Sequence, residues 1–167
     1  MKYIGIDPGT KGGFVVLDSK GEVEDWLVMP MIGKEYDVRI IVDFLTKHKD
    51  SHIFIENVKA VSGLPVSSTS SFNFGFGVGL LNGIIYALEI PFTKVAVPVW
   101  QKTMWEGVAP QKKTNGKKDT KTMSTIAARR LFPTQTFLAT QRSSVPHEGL
   151  IDGALIAKHG YRSLTKK

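Results

Sequence analysis

The sequence predicts an α/β fold in which one five-stranded mixed sheet is flanked by helices. Three short apolar runs at hairpin spacing open the chain, and strand-like runs then alternate with segments of helical periodicity. With 167 residues the chain is long enough for one hydrophobic core and short for two. We therefore expect a single domain over residues 1–167.

The first half predicts a three-stranded antiparallel meander, then a helix, then a fourth strand. The three strands are expected at residues 3–7, 13–17 and 22–29, with Pro-Gly and Ser-Lys-Gly turns between them. Residues 37–48 carry apolar side chains at helical spacing, and residues 53–56 form a buried apolar run ending in an acid. A strand that returns after a helix beside the first strand makes a parallel βαβ unit.

The second half adds one strand and several helices. Residues 72–88 predict a helix whose four glycines, at positions 75, 77, 79 and 83, suggest close packing against another backbone. The remaining segments are expected to be a loop at 58–71, a strand at 92–97, a short helix at 98–105, a basic and mobile stretch at 107–118, and helices at 120–131 and 146–161. The order βββαβαβαα on one mixed sheet is that of the RNase H-like fold.

The charge balance favours a polyanionic partner. The chain carries a net charge of +7 with a sequence pI near 9.6, and nucleic acid is the commonest partner of such a field, followed by anionic lipid. No apolar run approaches the ~18 residues of a membrane span, and the start shows no signal peptide. The chain has no cysteine, which excludes disulfides and thiolate metal sites. An intracellular protein, with no membrane partner, is the expectation.

Four acids fall where they could share one site. Asp7 and Glu56 end strands that are expected to be parallel neighbours, so their carboxylates should emerge side by side. Glu148 and Asp152 lie four residues apart in the last helix and so face one direction. Divalent cations prefer such oxygen ligands, and phosphodiester nucleases use two of these ions.

Each acid also has an ordinary interpretation. Asp7 precedes a Pro-Gly turn, and Glu56 could be a solvated charge at a strand end. Glu148 could complement the helix dipole. Asp152 is harder to explain this way, because it lies among apolar residues and a buried acid needs a partner.

Five segments in order along almost the whole chain resemble the motifs of RuvC-type Holliday-junction resolvases, particularly phage and other divergent members. The first, second and last of them contain the predicted acids, and the third is a glycine-rich helix. The segments are 4–9 (IGIDPG), 55–56 (IE), 74–79 (FGFGVG), 97–102 (VPVWQK) and 147–155 (HEGLIDGAL).

The resemblance implies an RNase H-like fold, a homodimer, and paired nicking of four-way or other branched DNA with two Mg²⁺ or Mn²⁺ ions per active site. Asp7, Glu56 and Asp152 correspond to metal ligands. In the familiar bacterial form the fourth acid lies three residues before the last, and here that position is Gly149. The role is placed on Glu148, and His147 is the rival as a ligand or as an acid for the leaving group.

The basic segment and a group of phenylalanines are the expected DNA contacts. Lys118 and Lys121 would lie near the scissile phosphate, and Lys112, Lys113 and Lys117 would add non-specific attraction; the alternative is a solvated loop. Phe72, Phe74 and Phe76 cannot all share one helix face. One or two of them, with Phe72 and Phe74 preferred, would stack on unpaired bases, unless all three pack in the core.

Three other functions compete with this interpretation. Another RNase H-like nuclease, acting on RNA–DNA hybrids or replication-fork DNA, would use the same acids. A sugar kinase or actin-like ATPase also opens with Asp-x-Gly-Thr, but it needs a second phosphate loop and a longer chain. A junction-binding protein without catalysis would be expected to have lost one of the acids.

Overall fold

The computed structural model describes residues 1–57 and 67–165, and it contains one five-stranded sheet and a separate two-stranded hairpin. The strand bounds are β1 Lys2–Asp7, β2 Gly13–Leu17, β3 Val23–Val28, β4 Met31–Ile32, β5 Glu35–Tyr36, β6 Ser51–Asn57 and β7 Phe92–Ala96. The helix bounds are α1 Val38–Lys47, α2 Ser68–Ala87, α3 Val97–Met104, α4 Thr120–Leu131 and α5 Glu148–Thr165.

The main sheet has the order β3-β2-β1-β6-β7. β1 pairs antiparallel with β2 and parallel with β6, in the register Ile6 to Ile55, and β6 pairs parallel with β7. The predicted meander and the predicted βαβ unit are therefore confirmed, and so is the five-stranded mixed sheet flanked by helices. The parallel centre places the carboxyl ends of β1, β6 and β7 at one edge.

Side chains alternate between the two faces of the sheet, and each face supports its own hydrophobic core. Ile4, Ile6 and Ile53 pack on the side covered by α1 and α2. Tyr3 and Phe54 pack on the other side, with α3, α4 and α5. Counting by two along the strands from Tyr3 and Phe54 places Asp7 and Glu56 on the α5 side.

The structure adds one hairpin to the prediction and moves the starts of α2 and α5. The β4–β5 hairpin was not predicted, because two-residue strands are too short to show a period. α2 begins at Ser68, inside the predicted loop, with the Ser67 side chain capping it; residues 58–66 of that loop lie outside the described residues. α5 begins at Glu148 rather than at residue 146.

The glycines of α2 do not make the predicted close contact with another backbone. An added Cβ at Gly75, Gly79 or Gly83 would meet no described atom within 4 Å outside the helix. Gly77 alone is close to another element, where a Cβ would overlap the ring of Tyr36. Three of the four glycines thus leave an open strip on the helix surface.

Close backbone packing occurs instead between α5 and the strands β1 and β2. A Cβ added at Gly5 would overlap the carbonyl oxygen of Gly153, and one added at Gly149 would overlap the backbone of Gly12. Glycine is needed at these positions because any side chain would push the helix off the sheet.

In the part of the chain that the structure describes, no helix has the length and hydropathy that a membrane crossing requires.

Replacing Gly5 with alanine should destabilise the protein by about 1–3 kcal/mol, since the added methyl group overpacks the β1–α5 contact. Gly9→Ala is the matched control, because a Cβ there meets its nearest atom at an ordinary 3.6 Å. Urea unfolding followed by tryptophan fluorescence measures both. Equal losses in the two variants would contradict the importance of this contact.

Candidate active site

Asp7 and Glu56 stand side by side at the carboxyl edge of the sheet. Each lies one residue beyond the paired positions Ile6 and Ile55 of two parallel neighbouring strands, which are about 4.8 Å apart. Both carboxylates belong to the face that α5 covers. The backbone N–H of Gly9 donates to Asp7 Oδ1 at 3.2 Å, which fixes the carboxylate against the turn after β1.

Asp152 reaches the same place from α5. Its helix packs on β1 and β2 through the glycine contacts, which bring the second turn of α5 down to the end of β1. Its Oδ1 is buried without a hydrogen-bond partner, and the nearby side chain of Ser124 on α4 acts to lower the pKa of its carboxyl group. Three elements distant in sequence thus contribute one acid each.

The three carboxylates raise one another's proton affinity. Burial and the nearby charge of Asp7 raise the pKa of Glu56 from 4.5 to about 7. Burial, then the charges of Asp7 and Glu56, raise the pKa of Asp152 from 3.8 to about 7, against the opposing effect of Ser124. Burial also raises the pKa of Asp7. Such a cluster is unfavourable when fully ionised unless a cation neutralises it.

Trp100 on α3 holds Glu56 in place. Its indole N–H donates to Glu56 Oε2 at 3.1 Å, and its ring is fully buried. Trp100 and Trp105 are both buried in the hydrophobic core on the α5 side of the sheet. The hydrogen bond to Glu56 was missed; the only signal was the position of Trp100 within segment 97–102.

Glu148 lies beside this cluster but is turned towards solvent. Its carboxylate forms an ion pair with Lys121 of α4, at 2.9 Å to Oε1 and 2.7 Å to Oε2. Both side chains are more than 60% exposed, so the pair contributes little to stability. Its charge still contributes to the raised pKa values of Asp7 and Asp152.

His147 immediately precedes α5 and lies near Asp7. Its backbone N–H donates to the carbonyl of Phe137 at 2.7 Å, and its own carbonyl accepts from Leu150 and Ile151. Its Nδ1 is buried and has no hydrogen-bond partner. Its proximity lowers the pKa of Asp7, partly offsetting the effect of burial.

The donor set suits a hard divalent cation. Asp152 Oδ1 is a buried acceptor without a donor, and the neighbouring carboxylates repel each other. A bound cation would satisfy the acceptor and reduce the repulsion. Within residues 1–57 and 67–165, no three His, Asp or Glu side chains already surround a common point at coordination distance. Small rotations of Asp7, Glu56 and Asp152 would have to accompany binding.

The predicted basic segment forms a turn that projects from the surface. Lys112 and Lys118 form an isolated bridge, and the N–H of Lys113 donates to the carbonyl of Lys117 at 2.8 Å. Lys118 Nζ lies 4.4 Å from the ring centroid of Trp105, which ties the turn to α3. All four lysines are exposed.

The phenylalanines of α2 are exposed, so the alternative that all three pack in the core is wrong. Phe72 is 71% exposed and Phe76 is 58% exposed, and their rings stack with centroids 6.5 Å apart. Phe74 is 39% exposed. Because α2 starts at Ser68, Phe72 lies in its second turn.

Comparisons with solved structures show the fold. The chain is similar to Thermus thermophilus RuvC in complex with a Holliday junction substrate, with a TM-score of 0.67 and 17% identity over 98% of this chain and 94% of that one. A second structure of Thermus thermophilus RuvC matches with a TM-score of 0.64 and 16% identity, over 98% of this chain and 96% of that one. The yeast mitochondrial Holliday junction resolvase Ydc2 matches with a TM-score of 0.56 and 17% identity, over 95% of this chain and 77% of that one.

The chain therefore has the RNase H-like fold of RuvC-type proteins along nearly its whole length, as the sequence motifs indicated. No protein-family model matches the sequence, and no curated protein matches it.

Without metal, the free energy of unfolding should fall as the pH rises from about 4 to about 7. Glu56 and Asp152 keep protons in the folded state up to a pKa of about 7, whereas the unfolded chain releases them near 4.5 and 3.8. Raising the pH across this window therefore stabilises the unfolded state relative to the folded state, and the free energy of unfolding falls by on the order of a few kcal/mol. Urea unfolding in EDTA across the window measures the effect.

Saturating Mg²⁺ should remove most of this pH dependence, because the cation stabilises the ionised carboxylates. In EDTA, the free energy of unfolding should fall less with rising pH in the variant Asp152→Asn than in the unsubstituted protein. A metal-free protein whose stability rises through the same window would contradict the coupling of the three acids.

Trp100→Phe should weaken Mn²⁺ binding roughly tenfold, because Glu56 loses its one donor from α3. Trp105→Phe is the matched control: this indole is also buried, but its Nε1 has no hydrogen-bond partner. Titration of free Mn²⁺ by electron paramagnetic resonance measures both affinities. A loss of the same size in the two variants would mean that packing, and not the hydrogen bond, positions Glu56.

Proposed function

We propose that this protein is a divalent-metal-dependent endodeoxyribonuclease that resolves four-way junctions or other branched DNA by paired phosphodiester hydrolysis. The observation that carries the proposal is the cluster of Asp7, Glu56 and Asp152, three half-buried carboxylates that three elements bring to one sheet edge. The similarity in fold to RuvC bound to a Holliday junction substrate supports the choice of DNA. An intracellular location, whether the protein is encoded by a cell or by a phage, is consistent with that substrate.

In this proposal Asp7, Glu56 and Asp152 hold two Mg²⁺ or Mn²⁺ ions, with His147 or Glu148 as a fourth ligand. The cations would supply charge stabilisation at the scissile phosphate and lower the pKa of an attacking water. The protein's own contribution is rigidity: Gly9 and Trp100 fix two of the carboxylates, and burial keeps competing solvent away. The products would be a 5′-phosphate and a 3′-hydroxyl.

Cations beside the acids would hold the DNA backbone. Lys121 lies next to Glu148, so a phosphate that approaches the carboxylate cluster meets its ammonium group. The exposed turn with Lys112, Lys113, Lys117 and Lys118 extends this positive surface. Arg130 has a structural role instead, because its guanidinium donates hydrogen bonds to the carbonyls of Glu106 and Met104 at the end of α3.

A homodimer is part of the proposal, because two symmetric cuts require two active sites. The second half of α2 offers a surface for it. Gly79 and Gly83 leave room for close approach, and Tyr86 is 65% exposed beside them. No charged residue occurs from Ser68 to Ala87, so a partner could cover this face without burying a charge.

The proposal is tested with a labelled synthetic four-way junction and a linear duplex of the same sequence. In Mg²⁺ or Mn²⁺ the protein should make symmetric nicks in the junction only, and EDTA should stop them. Asp7→Asn and Asp152→Asn should each lower the rate by at least about 100-fold while junction binding persists, because several kcal/mol of stabilisation depend on the cations.

Other results would assign a different function. Metal-dependent cutting of an RNA–DNA hybrid or of plain duplex would retain the nuclease site and reject the branched substrate. Binding of the junction without cutting in either metal would indicate a structure-selective binding protein. Absence of binding together with ATP hydrolysis would reject the proposal altogether.

The fourth ligand can be identified by comparing two neighbouring substitutions. His147→Ala should weaken Mn²⁺ binding by at least about tenfold, because its buried Nδ1 lacks any other partner. Glu148→Gln should change the affinity less than about threefold, since its carboxylate is exposed and paired with Lys121. The reverse ranking in the Mn²⁺ titration would assign the ligand to Glu148, as the helical spacing first suggested.

A further inference from the structure

The backbone of His147, rather than its side chain, fixes this residue beside the carboxylate cluster. Its carbonyl oxygen accepts from the N–H groups of Leu150 and Ile151, at 3.1 Å each, in the first turn of α5. Its N–H donates to the carbonyl oxygen of Phe137 at 2.7 Å, whereas its Nδ1 has no hydrogen-bond partner among the described residues. In the part of the chain that the structure describes, the contact with Phe137 is the one hydrogen bond that holds His147 from outside α5.

Phe137 makes this contact with an unusual backbone conformation. Its φ is +53°, in the left-handed region that bulky L residues rarely adopt. Glu89 is the other described non-glycine residue with a positive φ, and it directly follows the C-cap of α2, where left-handed backbone is common. Phe137 lies five residues beyond the C-cap of α4, so a helix end does not account for its conformation.

The side chain of Phe137 holds the residue in this conformation. Its ring is only 8% exposed, packs edge-on against Phe132 with the centroids 5.8 Å apart, and belongs to the core on the α5 side of the sheet. The buried ring and the hydrogen bond to His147 thus constrain two sides of one residue. Strained backbone persists where its surroundings constrain it from several directions, and such residues cluster at functional sites.

The loop that Phe137 and His147 close has little other support. Within residues 138–146 the described hydrogen bonds run only between Thr140 and Ser143, with 3.0 Å between the two hydroxyl oxygens. An open cavity of about 500 Å³ lies between this loop and α4, and Leu138, Pro146 and Ile151 are among the residues that line it. Packing below the loop is therefore incomplete, so the position of His147 depends on the contact with Phe137.

We propose that Phe137 is a positioning residue for His147. Its left-handed backbone, held by the buried ring, aims the carbonyl oxygen at the N–H of His147 and keeps the imidazole close to Asp7 before any cation binds. A ligand that is already in position loses less conformational freedom when the metal arrives, which strengthens binding. This inference rests on the proposed function, because His147 is a candidate metal ligand only within that proposal.

Amide hydrogen exchange of the metal-free protein, followed by nuclear magnetic resonance, tests the contact directly. In Phe137→Leu the amide of His147 should exchange at least about tenfold faster, because the ring no longer holds the carbonyl in place. Phe44→Leu is the matched control: this ring is 9% exposed and lies 5.8 Å from that of Phe14, but it belongs to the core on the other face of the sheet. Exchange at His147 that stays unchanged, or rises equally in the two variants, would overturn the proposal.

Mn²⁺ affinity shows whether Phe137 acts through His147. Phe137→Leu should weaken Mn²⁺ binding about tenfold in the protein that contains His147, and it should have no effect in the His147→Ala background. Phe137→Tyr should keep the affinity, since it retains the ring and the adjoining cavity has room for the hydroxyl. An equal loss from Phe137→Leu in both backgrounds would mean that Phe137 supports the site through packing alone, and would overturn the proposal.

Failure of the proposed function would give different results. A His147→Ala protein that binds Mn²⁺ as tightly as the unsubstituted protein would reject His147 as a ligand, and absence of junction cleavage in any metal would reject the nuclease itself. In either case, faster exchange at His147 in Phe137→Leu would still confirm the positioning contact, because that measurement needs neither metal nor DNA.

Discussion

The contact between the backbone of α5 and that of β1 and β2 determines the geometry of the whole site. Gly153 lies against Gly5, and Gly149 lies against Gly12, at distances that leave no room for a Cβ. Because the helix can approach the sheet this closely, Asp152 reaches the end of β1, although it lies 145 residues after Asp7 in the chain. A larger residue at either contact would separate the acids by tilting or lifting the helix.

This close approach also creates electrostatic repulsion among the three acids. The helix shields Asp7, Glu56 and Asp152 from water while it brings them together, and both effects raise their pKa values. The hydrogen bonds from Gly9 and Trp100 offset only part of this cost. A folded protein that keeps three mutually repelling carboxylates in one half-buried place loses stability unless a cation binds there.

Much of the framework follows from periodicity in the sequence. The short apolar runs of β1 and β6 predict two buried strands, and in the folded sheet a count by two from Phe54 places Glu56 on the α5 side. The spacing of Glu148 and Asp152 correctly predicts one helix. It does not predict that Asp152 is buried while Glu148 turns to Lys121, because that difference depends on which side of α5 meets the sheet.

Contacts between distant segments set the limit of such reasoning. The hydrogen bond from Trp100 to Glu56 joins residues 44 positions apart, and no local pattern encodes it. The glycines show the same limit more clearly. Four glycines in α2 predicted tight packing, yet three of them face open space, whereas Gly149, which the motif showed only as a spacer between acids, lies so close to the backbone of Gly12 that a Cβ would not fit. A glycine's role is set by what lies opposite it, and only the assembled fold supplies that partner.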